Sequence, residues 1–332
     1  MEYLAQFKPT STISVHPPNP TSTISISPPG GTHKPHHGGQ DGHLPLPTDT
    51  FPSAVSHYIH ATHTGHNALW IVFAIFTAAL VGVVILTIRT EKRNRLFHGI
   101  SALVLTIAMI SYFAMAAGLG VSYVPIHNHG PQGSLHHLFR QEYWARYVDW
   151  LFTTPLLLLS LTSLAGLSPA TSLAVILTDV AMVILGLLGS LVDARWKHGE
   201  ATRWGFFTVS TVAFLIVWGI LFTGGMKAAS YRAKNTKGLF TLLTIGTFLI
   251  WAAYPIVFAL GEGANKINVN TEIIAYGVLD VIAKVGFTYV LLFLHTHDET
   301  GPWTLPEWWV ASPQGYGPDG RGVYGSVGTT RD

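Results

Sequence analysis

Cysteine is absent from the 332-residue chain, which excludes disulfides, thiol chemistry and palmitoylation. Charge is scarce too. Only 11% of residues are charged against 48% hydrophobic, and the mean hydropathy of +0.37 is high for a soluble protein. The sequence contains no internal repeat, no glycine-rich phosphate loop and no zinc-ligand spacing, and with a net charge of +2 no nucleic-acid partner is expected. Its first residues, Met-Glu-Tyr-Leu-Ala-Gln, have neither a basic n-region nor an apolar h-region, so an ordinary signal peptide is not expected and the first apolar span would direct insertion.

Seven apolar stretches are present, near residues 68–88, 99–120, 143–164, 169–192, 204–222, 238–260 and 272–294. Each is long enough to cross a hydrocarbon core of about 30 Å, which takes about 20 helical residues. In lipid each span must satisfy its own backbone, so all seven are expected to be helices of an all-α bundle. The first connection, 89–95, and the fifth, 227–237, are strongly basic and lie on one side, which assigns that side to the cytoplasm. The N-terminus is then outside and the C-terminus inside.

Residues 1–66 are rich in Ser, Thr, Pro, Gly and His, without apolar periodicity, and read as a disordered external tail. Nine of the 17 histidines lie between His16 and His66, but irregular spacing and the lack of cysteine argue against a metal site. The tail has no Asn-x-Ser/Thr sequon with a permitted middle residue, so glycosylation gives its placement no support. Residues 67–297 form the membrane domain, and 298–332 a cytoplasmic tail whose Trp303, Trp308 and Trp309 could reach the interface.

Among so few charges, those inside the spans are informative. Lys284 lies in Gly-Val-Leu-Asp-Val-Ile-Ala-Lys-Val-Gly-Phe (277–287), one turn after Asp280. An ammonium at mid-bilayer costs roughly 3 kcal/mol or more, and a lysine held there beside a carboxylate suits a Schiff base to a carbonyl ligand. The third span, Tyr-Trp-Ala-Arg-Tyr-Val-Asp-Trp-Leu-Phe-Thr-Thr-Pro (143–155), sets Arg146, Asp149 and Thr153 on one face. There the arginine is expected to compensate Asp149 and the threonine to donate to it. At 1.5 Å per residue Asp149 lies roughly 9 Å below Tyr143 and Asp280 about 12 Å below Glu272, so both acids can flank Lys284. A buried ion-pair network that only fixes packing is the competing reading, and a substrate-coupled transporter would show more broken helices. Trp150, Trp204, Trp251, Tyr254 and Phe258 offer a slot for a flat polyene, and Pro255 a point where the sixth span bends.

The runs 146–159 and 279–287 closely resemble the microbial rhodopsins, and Trp-Ala-Ala-Tyr-Pro (251–255) with the long tails is similar to the fungal opsins. The resemblance covers about residues 68–295. It implies all-trans-retinal bound to Lys284 as a protonated Schiff base, Asp149 as primary proton acceptor, Asp280 as second counter-ion, and Arg146 as a gating residue. Tyr254 would help hold Asp280. Trp150, Met182, Gly186, Trp204, Trp251, Pro255 and Phe258 would line the slot. Thr154 and Asp179 match an interhelical hydrogen-bonded pair, and Glu262 and Glu272 the outer carboxylates that release a proton. The resemblance also implies an integral protein of the plasma membrane with a tendency to trimerise, and it makes the protein an ion transporter or photoreceptor rather than an enzyme.

One position departs from the pattern. Eleven residues after Asp149, about 16 Å along the helix, the pumps of this family carry an acid as internal donor, and this chain has Ser160. A serine hydroxyl does not titrate in the useful range. Two functions therefore compete: an outward proton pump with slow reprotonation, or a photoreceptor with a slow cycle and little net transport. His98, at the start of the second span, is either a substitute donor or a helix-end residue at the interface. An opsin-like protein without chromophore is disfavoured by the presence of the lysine.

Overall fold

The computed structural model describes residues 56–126, 137–195 and 197–295. Most of the expected N-terminal tail, through residue 55, and all of the C-terminal tail lie outside these residues. The chain divides into two units, Met1–His57 with Asn128–His137 and Tyr58–His127 with Leu138–Asp332. The second holds all the helices and the side chains of the site.

Seven helices are long and apolar enough to span a membrane: α1 His63–Arg89, α2 Leu96–Ala116, α3 Trp144–Ala165, α4 Pro169–Ser190, α5 Gly199–Ala229, α6 Lys234–Gly263 and α7 Val269–His295. Their ends follow local chemistry. Gly166, at φ +74°, closes α3. The Ser168 hydroxyl accepts from the Thr171 N–H at the start of α4, ahead of Pro169, and the Asn268 side chain does the same for Thr271 at the start of α7.

Helix α1 starts at His63, earlier than the expected boundary after residue 66, and Ser56–Ile59 form a strand, β1. The final part of the supposed tail is therefore ordered. Asn270 explains why: its side-chain oxygen accepts from the Thr62 and Gly65 N–H groups, and its amide donates to the Thr62 hydroxyl. Strands β2, Ser122–Ile126, and β3, His137–Glu142, pair antiparallel with Ser122 opposite Glu142. This hairpin leads directly into α3.

Consecutive helices pack from α1 to α5, and α7 packs on α1 and α6. Helix α3 is the most enclosed, with 61% of its central window buried against 22% for α1 and α4. Large apolar side chains face outward, among them Ile71, Ile88, Leu177 and Leu249. A bundle that wraps its polar residues inside and shows leucine and isoleucine outside fits hydrocarbon surroundings, not water. Helices α5, α6 and α7 each contain a π-helical turn, at Leu221–Gly225, Ala259–Gly263 and Val281–Gly286. The last of these carries Lys284, and such turns widen a helix where function needs room.

Candidate functional site

Lys284, on the π turn of α7, is fully enclosed and donates to two carboxylates, Asp149 Oδ2 of α3 at 2.6 Å and Asp280 Oδ1 of its own helix at 2.8 Å. The depth matching inferred from helix rise thus brings these three groups together. The two acids differ in what else they hold. Asp280 also accepts from Tyr112 at 2.6 Å, Tyr254 at 2.8 Å and the Trp150 indole at 3.1 Å. Asp149 has Lys284 as its side-chain donor, and its Oδ1 is buried without a partner. Four donors sustain the charge on Asp280, whereas the charge on Asp149 rests on the lysine. Of the two acids, Asp149 is the one whose buried charge has only Lys284 as a side-chain donor among the described residues.

Two expectations for α3 fail. The Thr153 hydroxyl donates to the backbone oxygen of Asp149 at 2.8 Å, not to its carboxylate. Serine and threonine within helices commonly back-bond the carbonyl one turn earlier. Arg146 does not compensate Asp149 but reaches the other way, donating to Glu272 Oε1 at 3.2 Å with Glu262 Oε1 at 3.7 Å, and its guanidinium lies 4.2 Å from the Tyr276 ring centre. Helical side chains lean toward the N-terminus, so the arginine extends away from an acid three residues further on.

Arg146 therefore belongs to a second polar layer, toward the hairpin end of the bundle. Glu262 there accepts from Tyr147, and Glu272 accepts from Arg140 at 2.7 Å. A third acid, Glu142 on β3, pairs with Arg140 at 3.2 Å and is equally buried. One oxygen from each of Glu142, Glu262 and Glu272 falls within 4.8 Å of the others. The sequence reading missed Glu142 and Arg140. The available signal was their spacing of two, which in a strand puts both side chains on one face.

Burial, with the charges of Glu272 and Glu262, pushes the Glu142 carboxyl well above the usual range, despite Arg140 and Arg146. A carboxyl whose folded pKa is raised binds its proton more tightly in the folded state, so its contribution to stability is full below the unfolded pKa and is lost as pH rises through the folded one. Glu142→Gln is expected to flatten the fall in thermal stability as pH rises above the ordinary carboxyl range. A melting series that keeps the wild-type slope would contradict this placement of the proton.

Next to Lys284 lies a predominantly apolar cavity, lined in part by Trp150, Met182, Gly186, Trp251, Tyr254, Pro255 and Phe258. Trp204 is not on its wall. It is substantially exposed, and a Cβ built on Gly263 would come within 2.9 Å of its ring. Phe207, three residues further along α5, lines the cavity instead and stacks on Phe258 at 5.3 Å. One helical turn on the same face moved the aromatic ring from the end of the helix to the cavity. An aromatic-walled cavity that ends at a lysine fits a flat apolar ligand joined through that nitrogen. Thr154 also lines the cavity and bonds Asp179 Oδ2 across to α4 at 2.6 Å and the Trp150 carbonyl at 2.8 Å.

Away from the hairpin, the bundle is different. Buried carboxylates among the described residues are Glu142, Asp149, Asp179, Glu262, Glu272 and Asp280, and none follows Asp149 along α3 or Lys284 along α7. Ser160 is buried and donates to the Leu156 carbonyl at 3.1 Å. His98, near the start of α2, is also buried.

Residues 63–297 match the family described as Bacteriorhodopsin-like protein. Opsin-1 of Neurospora crassa is 36% identical over 273 residues, covering 80% of this chain and 88% of that one. Bacteriorhodopsin of Halobacterium salinarum is 35% identical, covering 74% of this chain and 90% of its own. Among solved structures, a light-driven proton pump from Leptosphaeria maculans superposes with a TM-score of 0.67 at 37% identity, covering 72% of this chain and 96% of that one.

Proposed function

The chain belongs to the bacteriorhodopsin-like family, and from that premise we propose that it is a light-driven outward proton pump with all-trans-retinal carried on Lys284 as a protonated Schiff base. The observation that carries the reading is the inequality of the two acids: Asp280 is held by four donors, while Asp149 depends on the lysine and keeps one oxygen free. The retinal would supply absorption of visible light and a change of shape that reorients the proton on the lysine nitrogen. Trp150, Trp251, Pro255, Phe258 and Phe207 would clamp it, and Met182 and Gly186 would shape its far wall.

The protein's own groups then move the proton. Asp149 takes it from the Lys284 nitrogen, because without that cation its buried charge is unsupported. Arg146, paired with Glu272 and Glu262, links the region of Asp149 to the exit-side carboxylates. The carboxylates Glu142, Glu262 and Glu272 lie on the exit side and pass a proton outward. With the basic connections inside, the hairpin end faces out, the N-terminus is external, and the plasma membrane is the setting.

Ser160 supports the alternative, a photoreceptor with a slow cycle, because no acid on α3 returns a proton to the lysine. Light-induced acidification outside intact cells or vesicles, abolished by a protonophore, is the deciding measurement, and its absence would remove the pump. Ser160→Asp is expected to speed recovery of the dark state by about tenfold or more, in the range of an added general acid. An unchanged decay would show that the missing acid is not what limits the cycle.

A further inference from the structure

Among the described residues, the half of the bundle beyond Lys284 holds no buried acid on α3 or α7, but it is not uniformly apolar. His98 Nδ1 and the hydroxyls of Thr244 and Thr288 are all buried without a hydrogen-bond partner. Buried polar atoms of this kind are ordinarily met by internal water. Thr288 lies one turn after Lys284 on α7, and His295 two turns after Thr288 on the same face. The His295 ring stands edge-on to Phe97, the neighbour of His98, at 4.6 Å.

Thr90 holds one edge of the His98 ring. The Thr90 hydroxyl donates to the Leu86 carbonyl at 2.9 Å, which uses its single proton, and the same oxygen lies 3.2 Å from His98 Nε2. Nε2 is thus held against Thr90 and the Asn94 backbone also lies close to the ring, while Nδ1 is buried without a geometrically formed hydrogen bond.

We propose that His98 is the relay through which the Lys284 nitrogen regains its proton. The inference rests on the pump reading and replaces unassisted uptake from bulk water with uptake at a defined group. A proton from the aqueous phase forms the second N–H bond of the neutral His98 ring and gives an imidazolium. That bond then breaks, the proton passes along water held by the Thr288 hydroxyl to the deprotonated lysine nitrogen, and the neutral imidazole returns. His98 precedes Tyr112, which touches the Asp280 carboxylate, by fourteen residues on α2, or roughly 21 Å, so the transfer runs through water and not by direct contact. The charged and titratable groups near His98 are Arg95, just ahead of its helix, and His295 from α7, and the Asn94 backbone also lies against the ring.

The test is flash photolysis of the full chain in lipid vesicles, following optical recovery across pH 5–9 beside external acidification. His98→Gln is expected to slow recovery about tenfold or more near pH 6, to flatten its pH profile across the histidine range, and to regain speed with a small permeant acid. His98→Asp should restore fast recovery with a displaced midpoint, which a merely structural role would not produce. An unaltered visible band shows that each variant is folded. Wild-type rate and pH profile in His98→Gln would overturn the relay. Because recovery is read optically, it tests His98 even if no outward acidification is found, and that second result would fall on the pump alone.

Discussion

Lys284→Ala is expected to leave a protein with no visible absorption band after incubation with all-trans-retinal, and with no light response of any kind. The lysine carries the nitrogen that the cavity ends on, and no other lysine is buried among the described residues. The substitution also strands Asp149 and Asp280, which donated hydrogen bonds from that ammonium now satisfy at 2.6 and 2.8 Å. Removing one partner of a buried pair costs about 3–5 kcal/mol, so some loss of colour could come from unfolding alone. Lys284→Ala combined with Asp149→Asn separates the two effects, since it removes one stranded charge while leaving the attachment site absent. Covalent colour that persists in either protein would refute the assignment of Lys284.

Asp149→Asn is the second large effect. The amide preserves shape but cannot take a proton, so outward acidification should fall by about a hundredfold or more, the scale of a lost general base. The visible band should survive, because the lysine and Asp280 remain. Asp280→Asn makes an informative contrast: it breaks a carboxylate that four donors organise, so it should disturb the band and the folding yield as well as transport. If Asp149→Asn still acidifies the medium at the wild-type rate, the proton takes another path and the inequality between the two acids has no functional meaning.

The sequence made the lysine and its helix-mate acid legible because their relation is local: Asp280 and Lys284 are four residues apart on one helix, and no fold is needed to bring them together. Asp149 was reachable through rise per residue, since two helices running the same way can be compared by depth. Ser160 was visible for the same reason, being eleven residues from Asp149 on one face. Glu142 was not legible. It sits on a strand in what reads as a connection, and its partners Arg140, Glu262 and Glu272 come from three different stretches of chain.

Side-chain direction also escaped the sequence. Spacing put Arg146, Asp149 and Thr153 on one face of α3 correctly, yet it could not say that the arginine would turn toward Glu272 and the threonine toward a backbone carbonyl. The aromatic wall failed in the same manner, with Phe207 lining the cavity where Trp204 was expected.

By itself, then, the sequence determined that the chain forms seven membrane-length helices, that a lysine and two acids can lie at similar depth within them, and that no acid follows Asp149 on its own helix. Those facts are set by composition, helix rise and residue spacing, which are local properties of the chain. Only the tertiary structure decided which acid is held by four donors and which by the lysine, where the arginine points, that three carboxylates meet beyond it, and that His98 is buried. Each of these depends on which donors arrive from other helices, and no local rule specifies the partner that packing supplies.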